Sequence, residues 1–255
     1  MSYENFNDLY EIRPKHYLKV GNLVEFIEGV KNAAKVRVIG GNHPFNDIAL
    51  CDDTIIDTVR LREIVVDRGN LQVTVEAGVT LSRLLKYLSR EQLTIDVMTA
   101  TNDISVVGGI STGSHGSYAE RGSMSSLVIG AKIILADGTY RDANERELEG
   151  IRCSLGCLAA IYSVSLSAVK MFSIEERYLE AKWSELNIDK ILKEYPLTDI
   201  SVDQHSEEIT AANVVFSGLY IPYKFSLPTV INCTTLSEIG SDKISAISNS
   251  LSCSP

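Results

Sequence analysis

No two cysteines stand at C-x-x-C spacing. Cys51, Cys153, Cys157, Cys233 and Cys253 are scattered and odd in number, which leaves neither a disulfide framework nor a zinc site to read. They are expected to be free thiols, several of them buried. No basic cluster interrupts a balance of 24 basic to 33 acidic residues, a net charge of −9, so nucleic acid and anionic membranes are excluded as expected partners. The longest apolar run, around Leu127 to Ala136, is broken by Lys132 and is far too short for a transmembrane segment. The polar start from Met1 to Asp8 lacks the pattern of a secretory or mitochondrial leader, and a cytoplasmic location is the expectation. The G-x-G-x-x-G turn of a Rossmann unit is also missing, which disfavours a plain NAD-type site.

Two short stretches carry the chemistry. From Ile104 to Gly116 an apolar, β-branched entry leads into Gly108, Gly109, Ser111, Thr112, Gly113, Ser114 and His115. Glycines mixed with hydroxyls let backbone N–H groups and side-chain donors converge where no Cβ blocks approach, so a flat polar ligand could lie against such a loop. A loop that merely turns the chain requires no imidazole. The second stretch follows a short strand, Lys35 to Gly40, whose Val36 and Val38 share one face while Arg37 and Ile39 share the other. It runs Gly40-Gly41-Asn42-His43-Pro44-Phe45 and reads equally as an anion nest or as an ordinary Gly-Gly-Asn turn.

Around these stretches the pattern is that of alternating helices and strands. Asn22 and Glu25 form an Asx capping box ahead of Leu23, Phe26, Ile27 and Val30. Strands are expected at Ile55 to Asp57, Glu63 to Asp67 and Leu71 to Gly78, the last alternating Leu71, Val73 and Val75 against Gln72, Thr74 and Glu76. Thr80 caps a helix carrying Leu81, Leu84, Leu85 and Leu88. Asp137-Gly138 marks a hairpin, Glu145 to Gly150 a helix, and Ile161 onwards another alternating strand. Ile188, Ile191, Leu192 and Tyr195 suggest a further helix, with a strand around Ile200 to Asp203. Pro, Ser and Thr dominate from Pro222, which predicts a disordered tail over 222–255.

Gly109-Ile-Ser-Thr-Gly-Ser-His-Gly116 resembles the flavin-contacting motif of FAD-linked oxidases of the vanillyl-alcohol oxidase type, with a PCMH-type FAD-binding domain. It is most similar to the sugar-lactone and alditol oxidases. Val75-Glu-Ala-Gly-Val-Thr-Leu and Ser154-Leu-Gly-Cys-Leu-Ala-Ala-Ile161 resemble the same family, in the same order. The resemblance covers about Arg13 to Ala168 and implies an α+β fold: a small sheet subdomain around Val36 and a larger mixed sheet, gripping FAD between them. The implied domains are 10–170 for FAD binding and 171–221 for an incomplete C-terminal substrate domain, the rest of which is missing by comparison with the family.

The family places its pyrophosphate loop at Gly40, Gly41, Asn42, His43, Pro44 and Phe45, and a histidine at the position of His43 commonly holds the flavin covalently. Pro44 stands where relatives usually have a small hydroxyl residue and brings no donor. Gly109, Ser111, Thr112, Gly113, Ser114 and His115 would lie along the FAD, with Ser111 near the flavin edge; His115 reads equally as a structural histidine. Backbone near Ile161 would meet the adenine, although Ala159 stands where glycine is usual. No catalytic side chain and no metal site is assigned.

The implied chemistry is oxidation of a sugar lactone or polyol by hydride transfer to flavin, with oxygen or another acceptor completing the cycle. The alternative is a shortened FAD-binding protein without turnover.

Overall fold

Strand direction divides the structure: after a two-stranded antiparallel ribbon the first sheet is parallel and the later ones are antiparallel. The computed structural model describes residues 2–220 except 7, 100, 119–120, 195–196 and 204–209, and describes no side chains at 173–182, 185, 194, 199, 201–203 and 210–220. The tail expected to be disordered, 222–255, lies outside the described residues.

A short ribbon of β1 (Tyr3–Glu4) and β2 (Glu11–Ile12) leads into β3 (His16–Lys19), α1 (Leu23–Lys31), β4 (Val36–Ile39) and β5 (Thr54–Asp57). The last three strands form a parallel sheet in the order β3-β5-β4. Its centre is therefore β5, buried at all four positions, and the strand at Val36 is an edge. Asn22 caps α1 by accepting from the Glu25 N–H at 3.0 Å, while the Glu25 carboxylate reaches back to Gly21, one residue before the cap. Helix α1 lays Phe26 and Val30 against Ile56. Each such fully buried apolar side chain contributes about 1.5–3 kcal/mol. Asp53 fixes the start of β4 by accepting from the N–H groups of Ala34 at 3.0 Å and Lys35 at 3.1 Å, and the Lys35 N–H above all holds its carboxyl below the usual range.

The next part contains β6 (Ile64–Asp67), β7 (Gln72–Glu76), α2 (Leu81–Arg90), β8 (Leu93–Thr94), α3 (Val106–Ser111), β9 (Val128–Ile134), β10 (Tyr140–Asp142), α4 (Glu145–Ile151), β11 (Ala160–Ser167) and β12 (Val169–Lys170). Five of these strands make one sheet in the order β10-β9-β11-β7-β6. Every pairing in it is antiparallel, not mixed as expected, because β6–β7 and β9–β10 are hairpins and β11 enters between them. One face packs Val73, Val75, Ile133, Val164 and Leu166 against the leucines of α2 and the valines of α3. The other carries a polar stretch, with Thr74 Oγ1 2.7 Å from Ser165 Oγ and the Tyr162 hydroxyl donating to Glu76 at 2.5 Å.

The two sheets are stitched together in part at the start of β11. Register shifts between Ile161 and Ser163 on β11, so the strand changes phase there. Ala160, with Ile134 of β9, packs into the core of the parallel sheet, whereas Ile161 joins the larger core.

Beyond lie β13 (Ser173–Lys182), α5 (Ile188–Glu194), β14 (Leu197–Asp203) and β15 (Thr210–Tyr220), an antiparallel sheet ordered β13-β15-β14. Helix α5 and strand β14 stand where the sequence pattern puts them. The fold class is α+β. Among the described residues no helix is long and apolar enough to cross a membrane.

Candidate functional site

A cleft of about 380 Å³ opens where the parallel and antiparallel sheets meet. Its first wall is the loop after β4. Thr58 holds the root of that loop, its N–H and hydroxyl reaching the Ile39 carbonyl at 3.1 and 2.9 Å. The left-handed backbone position falls on Asn42, φ 54°, rather than on either glycine; asparagine is among the side chains that tolerate it. The Asn42 side chain is held from both sides, accepting from the Tyr3 hydroxyl and donating to the Glu4 carbonyl at 3.1 Å. Burial, with the Asp57 charge nearby, pushes the Tyr3 phenol up to about 12, so it remains a donor across the physiological range. Among the described residues no acceptor takes up the N–H groups of Gly41, Asn42 or His43. They are free to meet the oxygens of an anionic ligand.

The second wall is the stretch from Ile104. It is not wholly a loop, since Val106 to Ser111 form the short helix α3. Ser105 caps it by accepting from Gly108 N–H at 3.2 Å, and Val106, Val107 and Ile110 are buried beneath it, which offsets the low helix propensity of two glycines. The glycines serve close packing as well as access. A Cβ on Gly41 would stand 2.8 Å from the Asp103 carbonyl oxygen and the Ser105 nitrogen, and one on Gly109 would stand 2.8 Å from Ile104 Cδ1. Ser111 and Thr112 bond their hydroxyls back to the carbonyls of Val107 at 2.8 Å and Gly108 at 3.1 Å.

The third wall runs from Leu155 to Ile161. Arg37 reaches it from β4, donating from Nη1 to the Leu155 carbonyl at 3.0 Å and lying 3.9 Å from Cys157 Sγ.

Of the residues singled out in the sequence, Gly40, Gly41, Asn42, His43, Pro44, Gly109, Ser111, Thr112, Ser114 and Ile161 line this one cleft. Phe45, Gly113 and His115 do not. Phe45 is exposed and edge-on to Phe6, Gly113 packs against Cys153, and exposed His115 turns Nδ1 to the Gly116 carbonyl at 3.2 Å. Tyr3, Arg37 and Cys157 also line the cleft and were not singled out. Arg37 carried a usable signal, a cation on the strand that delivers the glycine loop; Tyr3 and Cys157 carried none. Cys157 and Cys153 are exposed free thiols, and among the described cysteines only Cys51 is buried. No group of metal-ligating side chains occurs among the described residues.

The FAD binding domain family matches residues 10–144. The chain belongs to that family. Its cofactor is FAD, which the unclaimed N–H groups on the cleft wall fit. L-gulonolactone oxidase of Mus musculus is 29% identical over 221 residues, 82% of this chain and 50% of that protein. D-arabinono-1,4-lactone oxidase of Saccharomyces cerevisiae is 28% identical over 186 residues, 68% of this chain and 35% of that protein. This FAD-binding chain thus spans half or less of the length of these curated relatives. Among solved structures, cholesterol oxidase from Brevibacterium sterolicum shares the fold with a TM-score of 0.73 at 16% identity, over 86% of this chain and 47% of that one.

Proposed function

We infer that this chain is the flavin-holding part of an oxidoreductase that oxidises a sugar-derived alcohol or an aldonolactone, with oxygen as the acceptor. The observation that carries the reading is the cleft, where free N–H groups from the parallel sheet's loop face hydroxyls and glycines from the antiparallel one. Relatives named for L-gulonolactone and D-arabinono-1,4-lactone supply the substrate class. FAD, when bound, supplies the two-electron acceptance that turns a carbinol into a carbonyl.

The chain's own part is to hold and orient. The N–H groups of Gly41, Asn42 and His43 receive the diphosphate, Gly109 and the hydroxyl residues Ser111, Thr112 and Ser114 flank the cofactor, and backbone at Ile161 meets the adenine. His43 carries the flavin covalently, a role supported by its place on the cleft wall.

Purified protein is expected to be yellow and to bleach when L-gulono-, L-galactono- or D-arabinono-lactone is added without oxygen. Readmitted oxygen restores the colour with one hydrogen peroxide per carbonyl formed. A colourless protein sinks the cofactor assignments. After acid precipitation the colour stays in the pellet, and His43→Ala moves it to the supernatant; wild-type colour in the supernatant refutes the covalent bond.

A second reading, FAD held without turnover, has its own support. Among the described residues the cleft lining contains no carboxylate and a single guanidinium to meet sugar hydroxyls. Specific recognition of a polyol needs polar groups aimed at it. A flavin that stays oxidised with every lactone would favour this reading.

A further inference from the structure

The N-terminal ribbon is not absorbed by the reading above, yet it touches the site residue by residue. Four consecutive residues, Tyr3 to Phe6, hold three consecutive residues of the cofactor loop. Tyr3 donates its hydroxyl to the Asn42 side chain, and Asn42 donates to the Glu4 carbonyl at 3.1 Å. The Asn5 side-chain amide donates to the Pro44 carbonyl at 3.3 Å. Between them the Phe6 ring stacks on the His43 imidazole, with centroids 4.7 Å apart and planes 30° from parallel. Proline at position 44 removes an N–H from the loop, but its carbonyl is free to serve as the anchor point. The ribbon is itself tied down, since Tyr3 is buried against Ile39 and Ile55 in a small core of its own.

We propose that residues 3–6 are a strap that sets the shape of the cofactor loop, with Phe6 the positioning residue for the His43 imidazole and Tyr3 the positioning residue for Asn42. An unsupported imidazole on a surface loop samples several side-chain rotamers. A ring stacked on it selects among them, and an aromatic pair of this kind is strong enough to hold that selection. The left-handed backbone at Asn42 is likewise held by two side-chain hydrogen bonds that leave its N–H outward for a ligand. The proposal rests on the FAD reading for its consequence, though not for its geometry.

The test uses the full chain with Phe6→Ala, which removes a half-exposed ring, and Tyr3→Phe, which keeps the buried ring and deletes only the hydroxyl. Backbone nitrogen-15 order parameters at 41–43 of the flavin-free protein are expected to fall from about 0.85 to below about 0.6 in both variants. Those in β5 should stay unchanged. Flavin-free protein incubated with FAD should form acid-stable flavin about three- to tenfold more slowly in each, and Phe6→Trp should keep both readouts at the wild-type level. Unchanged order parameters at 41–43 overturn the strap, and lowered order parameters with a rate within about twofold of wild type overturn its positioning role. A wild-type chain that forms no acid-stable flavin defeats the functional reading instead, and the order parameters then decide the strap alone.

Discussion

Gly41 is held to glycine by protein, not by cofactor. Its missing Cβ lets the loop of the parallel sheet close onto the backbone of Asp103 and Ser105, atoms that cannot swing aside. Gly41→Ala is expected to cost about 1–3 kcal/mol, as overpacking against fixed neighbours does, and to weaken FAD binding because the two walls of the cleft move apart. Gly21→Ala is the control, with its nearest atom 3.7 Å away; calorimetry and the flavin content of both purified variants check the contrast. Gly109 differs, since a Cβ there would meet at 2.8 Å only the end of the Ile104 side chain, which can turn aside. At this scale the sequence was legible in kind but not in detail. Two adjacent glycines announced a special backbone, yet the left-handed residue is Asn42, because its side chain had partners in the ribbon that no local pattern exposes.

Helix α4 shows how much a cap can be made to carry. Asn144 accepts from the Glu147 N–H at 3.0 Å, Glu147 returns to the Asn144 N–H at 2.9 Å, and Arg141 of β10 grips the same carboxylate through two nitrogens at 2.7 and 2.6 Å. The Arg141 guanidinium first, and the Asn144 N–H after it, lower the Glu147 carboxyl to about 2 from 4.5. A carboxyl depressed by folding stabilises the fold fully above its unfolded value and loses that contribution as pH falls through its folded one. Melting temperature should therefore drop between pH 4.5 and about 2 more steeply in wild type than in Glu147→Gln, with the two curves converging at the acid end. Parallel curves would remove Glu147 from the acid response.

Helices of this kind were readable in the sequence because Asn22, Thr80 and the leucine spacing of α2 state them locally. Helix α3 was not, since its glycines argue against a helix and only the Ser105 cap and the buried valines beneath it decide otherwise. The two-residue strands β1 and β2 are too short to show any period at all.

For the whole molecule, the cleft lies between sheets joined by Ile134, Tyr140, Ala160 and Tyr162, by the contact of Arg37 with Leu155, and by the close approach of Gly41 to Asp103 and Ser105. A ligand bridging them should stabilise both. In His43→Ala, where FAD is held without a covalent bond, free FAD about a hundredfold above its dissociation constant is expected to add about 2.7 kcal/mol, read as a rise in melting temperature that saturates with added FAD and is absent with riboflavin at the same concentration. No rise with FAD would mean that the two walls do not act together on the cofactor.

The order β10-β9-β11-β7-β6 also has a consequence for how the protein is made. The strand in the middle is the last of the five to leave the ribosome. Until β11 is synthesised, the hairpins β6–β7 and β9–β10 each present an unpaired edge, and such edges invite pairing with other chains. Pairing between distant segments also delays closure of the sheet. A nascent chain should therefore be cut readily by protease, and be held by chaperones, until Ser167 has emerged, and should become resistant soon afterwards. Resistance gained while β11 is still untranslated would show that the two hairpins stand without it.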